Sequence, residues 1–271
     1  MILTYNEFVN IADCIASIPS DDVVVFDSLS TDDTCIIALG AGARVLERPF
    51  DTYARQRNAA LQLPIFKYPW VLMLDADERM TSALHDEIVA RLERVGPETG
   101  MFRMRRQDIF LGRWLRRSSG YPTWFGRLMR CGAAHVERDI NEEFRTELTI
   151  EELANHILHY PFNKGVDYWF ERHNRYSSME AEALERERLR RVAWRDILSR
   201  DPMMRRKAAK QLVYRMPMRP TLIFLYLYIA RGGFLDGRAG FLFCRMRAVY
   251  ESMIDIKSVI LSSARSPKDR R

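Results

Sequence analysis

The sequence predicts an α/β protein whose first hundred residues form a mostly parallel sheet flanked by helices, and three observations carry that expectation. The apolar run at residues 70–74 has no internal punctuation, so it reads as a strand buried on both faces, and the β-branched stretch 22–27 and the short stretch 44–47 read as further strands. Residues 9–18, ahead of them, and 35–39 and 53–63, between them, read as helices. Strands that alternate with helices call for right-handed β-α-β crossovers and parallel pairing.

Taken in order, the chain opens on a short strand at residues 1–3 and a polar turn of Thr4, Tyr5, Asn6 and Glu7. Val9, Ile11, Ala12, Ile15 and Ile18 then recur at roughly helical spacing until Pro19 stops them. The β-branched run 22–27 ends at Asp27, and Ser28, Ser30, Thr31, Asp32 and Asp33 offer caps for the helix that follows. Gly40 and Gly42 close that helix. A third strand at 44–47 leads to the helix 53–63, which carries Arg55, Arg57 and Asn58 and is closed by Pro64. The fourth strand, 70–74, runs without interruption into Asp75, Ala76, Asp77 and Glu78.

Asp75 and Asp77 are two residues apart, so on an extended strand end they point the same way and can converge on one cation or ribose-phosphate. The same residues also allow a plainer arrangement, an acidic loop in which Asp77 caps a helix at 81–92. Asn6 with Glu7, Asp27, and Asp75 with Asp77 would all line one rim, where ligands of open α/β sheets bind. Neither G-x-G-x-x-G nor G-x-x-x-x-G-K-[ST] occurs, which argues against a dinucleotide fingerprint or a phosphate-cradling lysine loop. A nucleotide held through carboxylates and a metal, with Arg57 near the phosphates, fits the residue types better.

With 271 residues, 47% of them hydrophobic, the chain can bury one large domain and an appendage. Charge is unevenly spread: residues 1–100 hold eight Lys/Arg against sixteen Asp/Glu, whereas 101–271 hold 34 against 20. The two parts therefore face different partners. Cys14, Cys35, Cys131 and Cys244 form no C-x-x-C pair, so neither a zinc cluster nor a disulfide framework is expected. A reducing, cytoplasmic setting fits, and the first residues show no secretory leader pattern.

Residues 100–107 alternate enough for a strand, and 167–184 has helical spacing. His156 and His159, three apart without further ligands, make a weak metal pair; a packing or hydrogen-bonding role for His159 is the favoured reading. From 186 to 219 the chain carries twelve Lys/Arg against three Asp/Glu, and residues 220–230 then follow without a charge, bracketed by Arg219 and Arg231. That apolar segment falls short of the about 20 residues a spanning helix needs. An interfacial helix, or a buried core helix of the same length, accounts for it. A last amphipathic helix is expected at 241–260. The basic stretch has no nucleic-acid motif and its arginines accompany an apolar stripe, so a membrane surface met through 186–241 is expected and nucleic acid is not.

Four stretches in order resemble the motifs of family 2 glycosyltransferases with the GT-A fold: residues 2–7, 24–32, Gln56-Arg57-Asn58, and 74–79. The likeness is to the branch that extends lipopolysaccharide cores and other cell-surface glycans. It implies a GT-A-type catalytic domain at 1–165, with donor half 1–100 and acceptor half 101–165, and a helical, membrane-associating extension at 166–271. Thr4, Tyr5, Asn6, Glu7, Asp27 and Ser28 would hold base and ribose of a nucleotide-sugar, a UDP-sugar before others. Asp75 and Asp77 would form the D-x-D-type site for Mg2+ or Mn2+, Asp75 toward the ribose and Asp77 on the cation, with Arg57 as a second positive group. Residues 124–130 resemble the strand that closes the acceptor side, 139–144 a V-[HN]-E element, and His159-Tyr160 an H-Y element near the diphosphate; Glu142 is the expected base, with Glu137, Asp139 and Glu143 as rivals and a solvated acidic turn as the plainer alternative. Elements at 173–181 and 232–241 match the branch as well. Leu29 departs from the small residue usual there. The expected activity is inverting, metal-dependent transfer of a sugar to a glycolipid or cell-surface glycan, peripherally, at the cytoplasmic face of the bacterial inner membrane. A nucleotidyltransferase and a non-catalytic nucleotide-sugar-binding protein are the alternatives.

Overall fold

The computed structural model describes residues 1–137, 143–188 and 218–264. The chain divides into two compact units, Met1–Trp114 with Gly120–Asn163, and Leu115–Ser119 with Lys164–Arg271.

The first unit begins with β1 (Ile2–Thr4), α1 (Ile11–Ala16), β2 (Val24–Asp27), α2 (Thr34–Gly40), β3 (Arg44–Glu47) and α3 (Tyr53–Leu61). These strands and a short later one, β5 (Leu74–Asp75), form a sheet in the order β3-β2-β1-β5 with every pairing parallel. The sheet is apolar on both faces because both are covered. Ile2, Val25 and Leu74 pack with Ile11, Cys14 and Ile15 of α1 and Ala38 of α2, while Val24 and Phe26 pack with Ala60 of α3. Such double burial is what turns strand sequences into continuous apolar runs.

The run 70–74 is not one strand. Its first part, β4 (Trp70–Leu72), pairs antiparallel with β9 (Trp124–Arg130) in a second sheet, and only β5 lies beside β1. Met73 donates its N–H to the Arg127 carbonyl at 2.7 Å and Leu74 donates to the Met1 carbonyl at 3.0 Å, so the chain passes between sheets within one residue. Both halves of the run are buried, which is why periodicity reads them as a single strand.

The second sheet runs β4-β9-β7-β12-β6, where β6 is Glu78–Met80, β7 is Thr99–Phe110 and β12 is Thr149–His159; β8 (Arg113–Trp114) adds to β7. Only β7 and β12 pair in parallel here. The mostly parallel sheet expected of the unit is thus the property of its first half. On one face lies α4 (Ser82–Leu92), whose Leu84 and Ile88 join Phe102, Met104, Leu153 and Ile157 in the core. Thr81 caps α4, its Oγ1 accepting from Leu84 N at 3.1 Å, and β6 separates Asp77 from the helix, so Asp77 is not the cap. A two-stranded ladder of β10 (His135–Glu137) and β11 (Glu143–Arg145) completes the unit.

The second unit contains α5 (Gly165–Arg188), then α6 (Arg219–Leu225) continued by a π-helical turn (Tyr226–Ala230), a 3-10 turn (Gly233–Asp236) and α7 (Gly237–Ala264). Against expectation, α7 begins at the glycines rather than at Phe241. A Cβ on Gly233 would sit 2.6 Å from the Leu227 carbonyl, so the close approach of the 3-10 turn to the π-helical turn requires a bare backbone there. Asp236 Oδ2 accepts from Arg117 N at 2.9 Å, Ser118 N at 2.8 Å and Ser118 Oγ at 2.8 Å. Arg219 is not a surface arginine flanking the apolar helix: it is buried, and its Nε donates to Glu251 Oε2 at 2.8 Å. Most of the basic run 186–219 lies outside the described residues. Among the described residues no helix is long and apolar enough to cross a membrane.

Candidate active site

Parallel register brings the polar strand ends of the first sheet into one row. Asp27 of β2 is opposite Glu47 of β3 and Thr4 of β1, and Leu3 of β1 is opposite Asp75 of β5. The carboxylate of Asp27 is fully buried and accepts from Thr4 Oγ1, Ser30 N and Ser30 Oγ, each at 2.6 Å. These bonds fold residues 27–30 into a tight turn, which the left-handed φ of +63° at Leu29 completes. The turn after β1 is tied to it: Asn6, itself at φ +53°, donates its N–H to Ser30 Oγ at 2.8 Å and accepts from Thr31 N at 2.8 Å. Glu7 N donates to Thr34 Oγ1 at 2.7 Å. Gln56 of α3 reaches Ser28 Oγ at 3.1 Å, and Tyr5 stands exposed at the rim. All eight residues expected at the nucleotide therefore lie at these strand ends or, for Arg57, on the adjoining helix.

Asp75 sits between two arginines. Arg57 Nη2 donates to its Oδ1 and Arg127 Nη2 to its Oδ2, both at 2.8 Å. Burial pushes the Asp75 carboxyl up, but Arg127 and Arg57 outweigh it and hold the group well below the usual carboxylate range. Arg57, expected as a positive group on the phosphates, is engaged here because its buried guanidinium meets Asp75 first. The Asp75 backbone N–H donates to Glu78 Oε2 at 3.0 Å, and Arg127 also donates to Glu78 Oε1 at 2.7 Å. Glu78 is fully buried. It is the brace of this pair, placed there by the β6–β12 ladder.

Residues 76 and 77 form a turn between β5 and β6, so Asp75 and Asp77 do not share one extended strand end. Asp77 is held separately: its carbonyl accepts from Tyr160 N at 2.8 Å, and its Oδ2 lies 3.4 Å from His159 Nε2. His159 Nδ1 in turn lies 2.6 Å from Asp108 Oδ1. Burial and Arg106 push the His159 imidazole down, and Asp77 and Asp108 more than offset them, taking it up to about 9. Burial pushes the Asp77 carboxyl up, and His159 overrides this to leave it below its ordinary value.

A divalent cation can be matched against these donors. Among the described residues His159 is the one side chain paired with Asp77, and carboxylate oxygen with imidazole nitrogen is a ligand set that Mn2+ and its neighbours accept. Both oxygens of Asp75 already face arginines, so Asp77 and His159 fit a metal better than Asp75 and Asp77 do. Asp27, Cys35 and Glu47 also bring ligand atoms together, but Asp27 is spent on its three hydrogen bonds, and burial first, then Asp27, pushes the Cys35 thiol up to about 11. His156 does not join His159. Three residues apart on β12 they point to opposite faces, and His156 Nε2 meets Tyr121 Oη at 2.7 Å.

Glu142 lies outside the described residues, as do Asp139 and Asn141 of the same motif. Asp108 and Arg106 escape a sequence reading because their strand looks like any alternating strand, and Arg127 and Glu78 because charged residues beside a motif are usually solvated.

The family model of "Glycosyl transferase family 2" matches residues 1–162, the stretch that runs from β1 through β12. The chain belongs to glycosyl transferase family 2. The chain is 32% identical over 174 residues to an uncharacterized glycosyltransferase of Rickettsia felis, covering 62% of the chain and 55% of that relative. It is also 24% identical over 257 residues to the lipopolysaccharide core biosynthesis glycosyltransferase LpsC of Rhizobium meliloti, covering 92% of the chain and 87% of LpsC. The chain spans about half the length of the first curated relatives it matches. A solved glucosyl-3-phosphoglycerate synthase of Mycobacterium tuberculosis, in complex with Mn2+, UDP and glucosyl-3-phosphoglycerate, is 25% identical over 39% of the chain and 42% of that structure. Its TM-score of 0.33 makes the likeness a local one.

Proposed function

We propose that this glycosyltransferase moves a sugar, with inversion, from a nucleotide diphosphate to a lipid-linked or lipopolysaccharide-core glycan. The observation that carries the reading is the pair of differently held carboxylates at one strand-end rim: Asp75 clamped by Arg57 and Arg127, and Asp77 facing His159. Thr4, Tyr5, Asn6, Glu7, Asp27 and Ser28 form the receiving edge for base and ribose, a UDP-sugar being the first donor to try. Asp75, fixed in its rotamer by two arginines, accepts from ribose hydroxyls at its remaining lone pairs. Asp77 and His159 would hold Mg2+ or Mn2+, and the bound ion would offset the negative charge that gathers on the departing diphosphate. The catalytic domain is assigned to 1–165 and the helical extension to 166–271.

An inverting transfer needs one base to take the proton from the acceptor hydroxyl as its oxygen attacks the anomeric carbon. Glu142 is proposed for that task on its motif alone. The similarity to LpsC over most of both chains supports a core-glycan acceptor. A glycan of that kind is lipid-borne, and the exposed apolar side chains of Leu225, Tyr226, Ile229, Phe234 and Leu235 in the second unit support a peripheral position, proposed at the cytoplasmic face of the inner membrane.

The test is transfer from a panel of nucleotide sugars to deacylated core oligosaccharide, with and without Mn2+. Asp77→Ala is expected to abolish transfer while its Tm stays within a few degrees of the parent; near-normal turnover overturns the metal assignment. Glu142→Gln is expected to lose at least about 100-fold in kcat and keep donor affinity. Full activity in that variant moves the base to a neighbouring acid. Release of pyrophosphate from a nucleoside triphosphate and a sugar phosphate, without transfer, overturns the reading as a whole.

A further inference from the structure

Among the described residues of the site, His159 is the one histidine with a carboxylate at each end, and the two ends differ. Asp108 Oδ1 approaches Nδ1 to 2.6 Å, whereas Asp77 Oδ2 stands 3.4 Å from Nε2. The placement is built into the sheet, because β7 and β12 run parallel in a register that puts His159 directly opposite Asp108. A carboxylate accepts and does not donate, so the short contact keeps a proton on Nδ1. The ring nitrogen left to offer a lone pair is then Nε2, the one turned to Asp77.

Asp108 is itself held. Arg106 Nε lies 3.2 Å from Asp108 Oδ1, and Arg106 Nη1 lies 3.6 Å from Glu78 Oε1. The Arg106 guanidinium is also stacked on Phe125, 4.4 Å from the ring centroid, which restricts its rotamers. Glu78 leads on to Arg127 and Asp75. Acid and base thus alternate without a break from Asp77 through His159, Asp108, Arg106, Glu78 and Arg127 to Asp75. The two carboxylates of the D-x-D stretch, separated by a turn in the chain, are joined through this path.

We infer that Asp108 is a positioning residue for the cation site: it fixes the tautomer and ring orientation of His159 so that Nε2, not Nδ1, completes the site with Asp77. The inference rests on the reading above that Asp77 and His159 hold the cation, and extends it to a residue that touches neither cation nor substrate. Carboxylates behind ligating histidines commonly have this part in metal sites, and their loss costs about 10–100-fold in metal affinity. A merely structural Asp108 would brace the sheet and change stability without changing which nitrogen meets the ion.

Mn2+ distinguishes the cases, because pulsed EPR reads nitrogen coupling to the ion directly. The full chain is loaded with Mn2+ in the presence of UDP, and Mn2+ affinity is measured by titration of the free aquo-ion signal. In the parent, 14N modulation is expected and His159→Ala should remove it. Asp108→Ala should lower Mn2+ affinity about 10–100-fold and lose or change the 14N signal. Asp108→Asn, which keeps the shape and one acceptor oxygen, should fall between the two, and it serves as the probe if the alanine variant fails to fold. Parent-like affinity and 14N coupling in the Asn variant and in any folded Ala variant overturn the role of Asp108 while leaving His159 as ligand. Absence of 14N coupling in the parent, with unchanged affinity in His159→Ala, overturns the ligand reading itself and the inference with it.

Discussion

At the scale of single residues, the donor edge stores strain at one position that the sequence marks without explaining. Leu29 occupies the slot where the family usually has a small residue, and it adopts φ +63° with its side chain 46% exposed. A left-handed conformation costs a Cβ-bearing residue about 1–2 kcal/mol, part of which a glycine would give back as greater freedom in the unfolded chain. Leu29→Gly is therefore expected to stabilise the protein by about 0.5–1 kcal/mol, read as a higher urea midpoint at unchanged m-value. An unchanged or lower midpoint would mean that the exposed leucine makes a contact worth more than the strain. The neighbouring Asp27 illustrates what was legible here and what was not. Its position at a strand end and its acidic type identify it from the sequence, but its three bonds to Thr4 and Ser30 depend on the turn closing back, which no local pattern encodes.

At the scale of elements, α5 and α7 meet through a histidine whose protonation opposes their packing. His173 stacks on Trp169 with ring centroids 3.6 Å apart, meets Tyr250 of α7 edge-on at 4.9 Å, and hydrogen-bonds through Nδ1 to the Trp169 carbonyl at 2.8 Å. Burial foremost, with Arg172 and Arg247 adding to it, pushes this imidazole from 6.5 down to about 4. Between those two values the unfolded chain binds the proton and the folded chain does not. The contribution of His173 is therefore complete above pH 6.5 and is lost as pH falls toward 4. The Tm advantage of the parent over His173→Gln should shrink from pH 7 to pH 4.5; a gap that stays constant would show that the ring acts by packing alone. The helices themselves were legible, since α5 and α7 repeat apolar positions over many turns. The crossing of 70–75 from one sheet to the other was not, because β4 and β5 are both buried and differ only in partners distant in sequence. The different partners of Asp75 and Asp77 were hidden for the same reason: Arg127 and His159 lie more than fifty residues further along.

At the scale of the whole molecule, the charge imbalance between residues 1–100 and 101–271 coincides with an apolar surface in the second unit. Leu222, Leu225, Tyr226 and Ile229 follow the spacing of one helical face along α6 and its π-helical continuation, and all are exposed, Ile229 to 60%. The opposite face is used inside the unit, where Phe224 and Tyr228 pack on Phe241 at 6.1 and 5.5 Å between centroids. Phe234 and Leu235 project from the 3-10 turn at 50% and 55% exposure. Arg238 and Arg245 are exposed on α7, and Asp236, the sole acidic residue in 218–250, is buried against Arg117 and Ser118. An apolar ridge with uncompensated arginines beside it has the chemistry of a surface that enters an anionic bilayer to headgroup depth. Deleting 219–231 would be a poor test, because it removes Arg219 from its buried pair with Glu251 and so threatens the unit itself. Substituting Ile229, Phe234 and Leu235 together by serine leaves that pair intact. Each buried side chain of this kind contributes about 1.5–3 kcal/mol when fully transferred from water, and each well-placed arginine about 1 kcal/mol. The triple variant should therefore bind vesicles of 30% anionic lipid at least about tenfold more weakly in flotation, and the parent should lose binding as salt rises. Soluble-donor hydrolysis should be unchanged in the variant. Equal flotation of parent and variant would overturn a bilayer role for the ridge.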